Sequence, residues 1–134
     1  MLMSCASTTV LPLAAALALL SSAALAQSEV SPDEARLAFN NHCRQCHVTR
    51  EGDNRLGPSL YGVFGREAGA ASGYAYSSAM KNADIVWDAE TLDRYIQNPD
   101  AVVPGNKMKP FTGISEAEER AKIIAHLVNE TAGQ

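Results

Sequence analysis

The segment Cys43-Arg44-Gln45-Cys46-His47 carries the most specific pattern of residues in this chain. Two thiols three residues apart lie on one turn of helix, and an imidazole follows at once. This C-x-x-C-H spacing is the attachment signature of c-type haem. Each thiol can add to one haem vinyl group, and the imidazole can reach the iron axially. The sequence therefore predicts one haem c, covalently bound through Cys43 and Cys46, with His47 as an axial ligand.

Three other interpretations compete for the same motif. A thioredoxin-like redox pair places C-x-x-C beside a strand in a βαβ frame, and no strand is visible in the sequence. A structural zinc site needs four ligands, but only His42 and His126 remain as histidines and no further cysteine follows residue 26. A disulfide between Cys43 and Cys46 stays open as the simplest alternative, since exported thiols oxidise.

The composition is that of one globular domain. Of 134 residues, 46% are hydrophobic and 19% are charged. The 15 Asp and Glu residues outnumber the 11 Lys and Arg residues, which gives a net charge of -4 at pH 7. Nucleic-acid binding needs a basic footprint on the protein surface. The charge balance therefore excludes nucleic acid as an expected partner.

Residues 1–26 carry no charged side chain and include an apolar run over residues 10–20. A small-x-small site ends at Ala26, so we expect a secretory signal peptide that is cut before Gln27, with export to the periplasm. An uncleaved membrane anchor is the alternative, because no Lys or Arg precedes the run. That run is shorter than the ~20 apolar residues a span needs. The remaining residues, 27–134, form one domain in which we expect no membrane span.

Capping signals place the first helix. Ser31 is an N-cap, Pro32 suits the first helical position, and Glu34 completes a capping box. The helix is predicted to run up to Cys43. Glycines keep the next segment irregular, and one turn of helix is expected near residues 77–82.

Two further helices are predicted in the second half of the chain. One begins at Asp88 or Glu90 and ends before Pro99, because the residue preceding a proline disfavours helical backbone. The last begins at Ser115, where Glu118 offers a second capping box. Short helices and long loops build little core of their own. We therefore expect an all-α fold wrapped around one large apolar ligand.

A second axial ligand is offered by the loop at residues 104–110, which presents Met108 among polar, proline-bounded neighbours. A methionine is more often core filler than a ligand, and Met80 is the other one after residue 26. The position of Met108 in a loop far from His47 favours it as the ligand. A thioether ligand stabilises ferrous iron and raises the reduction potential.

The order of motifs along residues 27–134 resembles the class I cytochromes c, the group of mitochondrial cytochrome c and bacterial cytochrome c2. The resemblance implies the small all-α class I cytochrome c fold, with one covalent haem and His47/Met108 ligation. It rests on the haem motif near the mature N-terminus and on these further segments: Gly57-Pro58-Ser59-Leu60-Tyr61-Gly62-Val63-Phe64-Gly65-Arg66, Gly73-Tyr74-Ala75-Tyr76, Trp87, Glu90-Thr91-Leu92 with Tyr95, Asn98-Pro99, and Pro104 through Met108.

The resemblance also implies roles for residues outside the haem motif. The Pro58 carbonyl is expected to accept a hydrogen bond from the His47 ring, which fixes the ring. Tyr95 is expected near the Met108 sulfur, and Phe39 is expected to pack the first helix against the last. Hydrogen bonds to the buried haem propionates are expected from three residues: Arg66, Tyr76 and Trp87.

The chain departs from the family pattern at several positions. Ala35 replaces a usual glycine where the first and last helices cross, and His126 replaces a usual aromatic residue, so we expect that interface to be repacked. Met80 replaces a polar residue near a propionate. The lysine ring that many members use for docking is depleted here, although Lys107 and Lys109 remain.

These features together predict a soluble, periplasmic, monomeric electron carrier that is not an enzyme. The resemblance implies a quinol–cytochrome c reductase as donor and a terminal oxidase or photosynthetic reaction centre as acceptor. A periplasmic dehydrogenase fits the acidic surface equally well as a donor. Three alternatives remain: a haem enzyme or ligand-binding cytochrome with an open iron site, a haem-free thiol redox protein, and a tightly bound subunit of a dehydrogenase or oxidase.

Overall fold

A computed structural model describes residues 29–132, so the predicted signal peptide and its cleavage site lie outside the described residues. This part of the chain contains no β-strand and has one isolated antiparallel bridge, between Glu67 and Val86. The prediction of an all-α fold is confirmed. No helix within residues 29–132 is both long enough and apolar enough to cross a membrane. The helices are α1 (Pro32–His42), α2 (Ser78–Lys81), α3 (Ala89–Gln97), α4 (Pro99–Val102) and α5 (Ala117–Ala132).

The start of α1 follows the predicted capping signals. The Ser31 hydroxyl accepts from the Glu34 backbone N–H, and the Glu34 carboxylate accepts from the Ser31 N–H over 3.0 Å. Pro32 occupies the first turn, where its missing N–H costs no hydrogen bond. At the other end, the Cys43 N–H donates to the Phe39 carbonyl. The haem motif therefore begins where α1 stops.

One end of the core lies where α1 crosses α5. Ala35 and Ile123 are fully buried there, and Phe39 packs its ring against that of His126 with the centroids 4.5 Å apart. Burying one side chain of the size of Phe39 stabilises the fold by roughly 1.5–3 kcal/mol. The predicted contact between α1 and α5 is thus present. The His126 imidazole lies tilted beside the Phe39 ring, at the position where the family resemblance leads one to expect an aromatic residue.

The predicted helix near Asp88 is present as α3, with Asp88 as the N-cap that accepts from the Thr91 N–H at 2.7 Å. The expected turn near residues 77–82 is α2. The sequence does not predict α4, because Pro99 is a stop signal for the helix before it. Pro99 also takes the first position of a new helix, for which the Asn98 side chain is the N-cap. Helix α3 packs against both α4 and α5.

The predicted start of the last helix was wrong by two residues. Helix α5 begins at Ala117, and the Ser115 hydroxyl donates to the Glu116 carboxylate instead of entering a capping box with Glu118. The reason lies in Arg120, whose guanidinium donates to the Ser115 carbonyl at 2.8 Å. That carbonyl is thereby engaged by a side chain, and the segment before α5 is held outside the helix.

Candidate haem site

The haem motif forms a tight turn directly after α1. The backbone N–H groups of Cys46 and His47 both donate to the Cys43 carbonyl, at 3.0 and 2.9 Å. Cys43 packs against the edge of the core, and both cysteines are free thiols rather than a disulfide. Burial, with a smaller effect of the neighbouring Cys46, raises the pKa of the Cys43 thiol to about 12. This thiol is therefore protonated at neutral pH in the structure.

His47 follows the turn and is buried, with 7% of its surface exposed. Its Nδ1 lies 2.8 Å from the carbonyl oxygen of Pro58. Because a carbonyl only accepts, Nδ1 carries the proton and Nε2 of the neutral ring presents a lone pair. Burial lowers the pKa of His47. The hydrogen bond to Pro58 raises it by a smaller amount. The ring is thus held in the neutral form that binds metal.

Gly57 leaves the space that the His47 ring occupies. A Cβ atom at position 57 would lie 2.6 Å from Nδ1 of His47 and 2.7 Å from Nε2, so only glycine fits. The Gly57 N–H also donates to the Cys46 carbonyl at 2.8 Å, which joins the two segments. The sequence marks Gly57 only as a loop breaker, and its steric role becomes visible once the ring is placed.

Arg66 is the strongest sign that an anionic group completes this site. Its Nη1 donates to the Tyr61 carbonyl at 2.9 Å and its Nη2 to the Ser59 carbonyl at 3.0 Å. Its Nε is buried and, among residues 29–132, is the one buried side-chain nitrogen or oxygen without a hydrogen-bond partner. A buried donor of this kind calls for a partner, and a carboxylate is the strongest one. A haem propionate fits this requirement.

Tyr76 lies close enough to Arg66 for the guanidinium to influence its hydroxyl, whose pKa is raised chiefly by burial. Trp87 and Tyr95 are both buried and pack ring against ring, with centroids 5.1 Å apart. Burial also raises the pKa of Tyr95. Trp87 and Tyr95 lie in the core and Tyr76 packs against it, and the contacts of these residues with haem and with Met108 stay predictions.

The two candidate sulfur ligands have different environments. Met80 is buried in the core, and its N–H is held by the Ser77 side chain. Met108 lies in the loop after α4, only half-buried against the core edge. Its N–H donates to Oδ1 of Asn106 at 2.9 Å. Met80 is thus part of the core, whereas Met108 lies at its edge.

Asn54 is a further residue that the sequence alone does not reveal. Its Oδ1 accepts from the Ser59 N–H and its Nδ2 donates to the Ser72 carbonyl, each at 2.9 Å. One amide thus connects the loop that carries Pro58 to the loop that precedes Tyr76. An asparagine in a glycine-rich loop carries no sequence signal for such a bridge.

Several partly buried apolar side chains pack against the core. They are partly exposed here, as is expected of side chains that cover a bound apolar group. Together with the free thiols, the neutral imidazole and the unpaired Arg66 donor, they fit a covalently attached haem. This set consists of Leu60, Phe64, Ala79, Ala83, Ile85, Val102, Phe111 and Ile124.

The basic residues near the methionine loop are partly neutralised. Lys109 pairs with Asp100, and this hydrogen bond lowers the pKa of the Asp100 carboxyl. Arg55 pairs in the same way with Asp53 at 2.7 Å. Within residues 29–132, Lys107 takes part in none of the ion pairs. The depletion of basic charge expected from the sequence is therefore deepened by local pairing.

This combination of a helical fold, a C-x-x-C-H turn and a buried neutral imidazole defines a small c-type haem protein. Comparisons with known proteins assign the family. The family model described as Cytochrome c matches residues 33–130. The chain therefore belongs to the cytochrome c family, whose members are electron-transfer haem proteins with one covalently bound haem c.

Individual relatives agree with this assignment. The chain is 48% identical to a cytochrome c of Euglena viridis over 89 residues, which are 66% of this chain and 86% of that protein. It is 47% identical to a cytochrome c of Chlamydomonas reinhardtii over 95 residues, or 70% of this chain and 84% of that protein. The solved structure of cytochrome cH from Methylobacterium extorquens matches with a TM-score of 0.67 and 38% identity, covering 74% of this chain and 98% of that one. The resemblance to class I cytochromes c, the fold and the haem c cofactor are thereby confirmed.

Proposed function

We propose that this protein is an exported periplasmic electron carrier whose haem iron is held between His47 and Met108. The observation that carries the proposal is the 2.8 Å contact between Nδ1 of His47 and the Pro58 carbonyl, which leaves Nε2 as the metal-binding atom of a buried ring. Cys43 and Cys46, on the turn directly before that ring, form the two thioethers.

The haem supplies an iron that alternates between the ferric and ferrous states. The surrounding residues would keep other ligands from binding the iron in either state. With haem bound, His47 and Met108 would be the two protein ligands of its iron, and the Met108 thioether would favour the ferrous state. Arg66, Tyr76 and Trp87 offset the cost of burying the propionates, and Tyr95 adjusts the environment of the Met108 sulfur.

Export and partners follow from the sequence. Residues 1–26 form a cleaved signal peptide, which delivers the domain of residues 27–134 to the periplasm as a soluble monomer. Electrons arrive from a quinol–cytochrome c reductase or a periplasmic dehydrogenase and leave to a terminal oxidase or a reaction centre. The paired state of Lys109 and Arg55 supports docking with little basic steering, so the reaction rate should depend weakly on ionic strength.

Two alternatives are less well supported. A haem-free thiol redox protein is less well supported because residues 33–130 match the cytochrome c family, whose members bind haem c covalently. An enzyme or gas sensor needs an open iron position. Our proposal has Met108 fill that position, and its half-buried place at the edge of the core, where Asn106 holds its backbone, supports this.

The test is a redox and ligand titration of the exported protein, made with a competent haem maturation system. We expect one reversible one-electron transition, haem covalently attached to a peptide that contains Cys43 and Cys46, and a mature N-terminus at Gln27. The ferrous protein should not bind carbon monoxide at neutral pH. Rapid carbon monoxide binding would instead establish an open iron site, and absence of haem would establish a thiol protein.

A further inference from the structure

Asp100 connects two residues on opposite sides of Met108. It lies in α4, and its Oδ1 accepts from Nδ2 of Asn106 at 2.9 Å. Its Oδ2 accepts from Nζ of Lys109. One carboxylate therefore contacts both the second residue before Met108 and the residue directly after it.

Asn106 carries this connection to the Met108 backbone. Asn106 is buried, with 5% of its surface exposed, and both the nitrogen and the oxygen of its side-chain amide form hydrogen bonds. Nδ2 donates to Asp100 and also to the Val103 carbonyl at 3.0 Å, while Oδ1 accepts from the Met108 N–H at 2.9 Å. Because both amide protons are held by oxygen atoms, the oxygen of this amide can only face Met108. The orientation of Asn106 thus depends on a carboxylate at position 100.

We propose that Asp100 is a positioning residue for the Met108 sulfur, acting through Asn106 on one side and Lys109 on the other. The inference rests on the proposed ligation by Met108. A carboxylate suits this role because it accepts on both oxygens. An asparagine at position 100 presents an NH₂ group to one of the two donors, Asn106 or Lys109. One of the two hydrogen bonds is therefore lost.

The role is separable from general stability. The Asp100 and Lys109 side chains are 59% and 51% exposed, and exposed ion pairs contribute little to the free energy of unfolding. Removing the carboxylate should therefore leave the thermal midpoint nearly unchanged. It should instead loosen the Met108 loop, which a purely structural role at this exposed position would not do.

The experiment compares holoproteins carrying Asp100→Asn, Lys109→Gln or the matched control Asp84→Asn. Asp84 is an exposed aspartate that takes part in none of the ion pairs within residues 29–132, so the control makes the same charge change elsewhere. Two quantities are measured: hydrogen exchange of the Met108 amide, and the pH at which the red ferric absorption band of a methionine–iron bond disappears. We expect Asp100→Asn to accelerate the exchange about tenfold, which is the effect expected when one hydrogen bond of a coupled network is lost. Lys109→Gln should give a smaller change, and Asp84→Asn none.

The two readouts distinguish failure of this inference from failure of the proposed ligation. Equal Met108 exchange in Asp100→Asn and Asp84→Asn would overturn the positioning role, whatever the spectrum shows. A wild-type protein that lacks the red band would overturn ligation by Met108, and with it the role of Asp100 toward the iron. Faster exchange together with earlier loss of the band supports the inference. Restoration of both quantities by Asp100→Glu would support it further, because that side chain again offers two acceptor oxygens.

Discussion

Nδ1 of His47 lies 2.8 Å from the carbonyl oxygen of Pro58, and this contact sets both the tautomer and the direction of the imidazole. A ring held in this way offers Nε2 to one position only. Gly57, the residue before Pro58, provides the space in which the ring lies. Gly57 and Pro58 therefore fix the position of the His47 ring together with the haem motif itself.

The first prediction concerns Gly57. Replacing it with alanine places a methyl group 2.6 Å from Nδ1 of His47, so the ring or the loop must move. Since buried overpacking costs about 1–3 kcal/mol, we expect Gly57→Ala to reduce the yield of holoprotein and to lower its thermal midpoint. Pyridine haemochrome assay and thermal unfolding measure these two effects.

Gly65→Ala is the matched control for Gly57→Ala. Gly65 has a φ of +79° but open space where a methyl group would be added, so its substitution strains the backbone without touching His47. It should lower the thermal midpoint and leave the haem spectrum unchanged. If Gly57→Ala incorporates haem with a wild-type spectrum, the fit between Gly57 and the imidazole does not limit ligation.

The second prediction concerns the charge of Arg66. Arg66→Gln removes a positive charge beside the expected propionate. Loss of that charge stabilises ferric relative to ferrous iron, so the reduction potential should fall. The carbonyls of Ser59 and Tyr61 also lose their donors, at a cost of about 2 kcal/mol in the free energy of unfolding. Redox titration and urea unfolding of the holoprotein test the two effects. Arg94→Gln makes the same charge change on the exposed face of α3, and an equal fall in potential there would argue against a propionate partner for Arg66.

The third prediction concerns Arg120, which joins α5 to α3 and to the segment before α5. Its side chain is 6% exposed, its Nε donates to Asp93 at 2.8 Å, and its Nη1 donates to the carbonyl of Ile114 at 2.9 Å. Breaking such a buried pair costs about 3–5 kcal/mol. Because Asp93 is partly exposed, we expect Arg120→Met to lie near the low end of that range. The measurement is urea unfolding of the holoprotein.

Lys122→Met provides the comparison on the same helix. Lys122 pairs with Glu118, whose side chain is 83% exposed, and at 3.7 Å with Glu119, so the loss of these surface pairs should cost about 1 kcal/mol. Equal losses for Lys122→Met and Arg120→Met would show that burial of the Arg120 pair contributes nothing.

The fourth prediction concerns the pH dependence of stability. Burial, with a smaller effect of Arg36, lowers the pKa of His126 below its ordinary 6.5, while Glu130 acts in the opposite direction. The unfolded chain therefore binds a proton at a higher pH than the folded one. Stability falls as the pH drops through about 6.5, and this fall ends below the lowered folded pKa.

His126→Phe keeps a ring against Phe39 and removes the titrating group. We expect the variant to lose less free energy of unfolding than the wild type between about pH 7 and pH 5, as the usual range of histidine titration implies. His47 is common to both proteins, so its contribution cancels in the difference. Parallel stability curves for the two proteins would exclude His126 as a source of acid sensitivity.

The sequence predicts those parts of the fold that local chemistry decides. The Ser31 capping box and the Asp88 N-cap use neighbouring residues, and both helices begin where predicted. The start of α5 was misplaced because it depends on Arg120, whose guanidinium engages the Ser115 carbonyl from within the helix. Helix α4 was missed because Pro99 ends one helix and begins the next.

The residues of the candidate site differ in the same way in how far they could be predicted. The haem motif follows from the sequence and the hydrogen bond from His47 to Pro58 from the family resemblance, whereas the roles of Asn54, Asn106 and Asp100 follow from neither. Their roles depend on backbone groups brought close by the folded loops, such as the Ser72 carbonyl that faces Asn54. Amide side chains in polar loops carry no periodicity from which such partners can be predicted.

The central claim, a haem iron held between His47 and Met108, is tested most directly by the ferric absorption spectra of the wild type, Met108→Leu and Met80→Leu. Both substitutions nearly conserve side-chain volume and remove a sulfur. The account predicts the red methionine–iron band in the wild type and in Met80→Leu, and its loss in Met108→Leu. A band that survives in Met108→Leu, or is absent from the wild type, would contradict it.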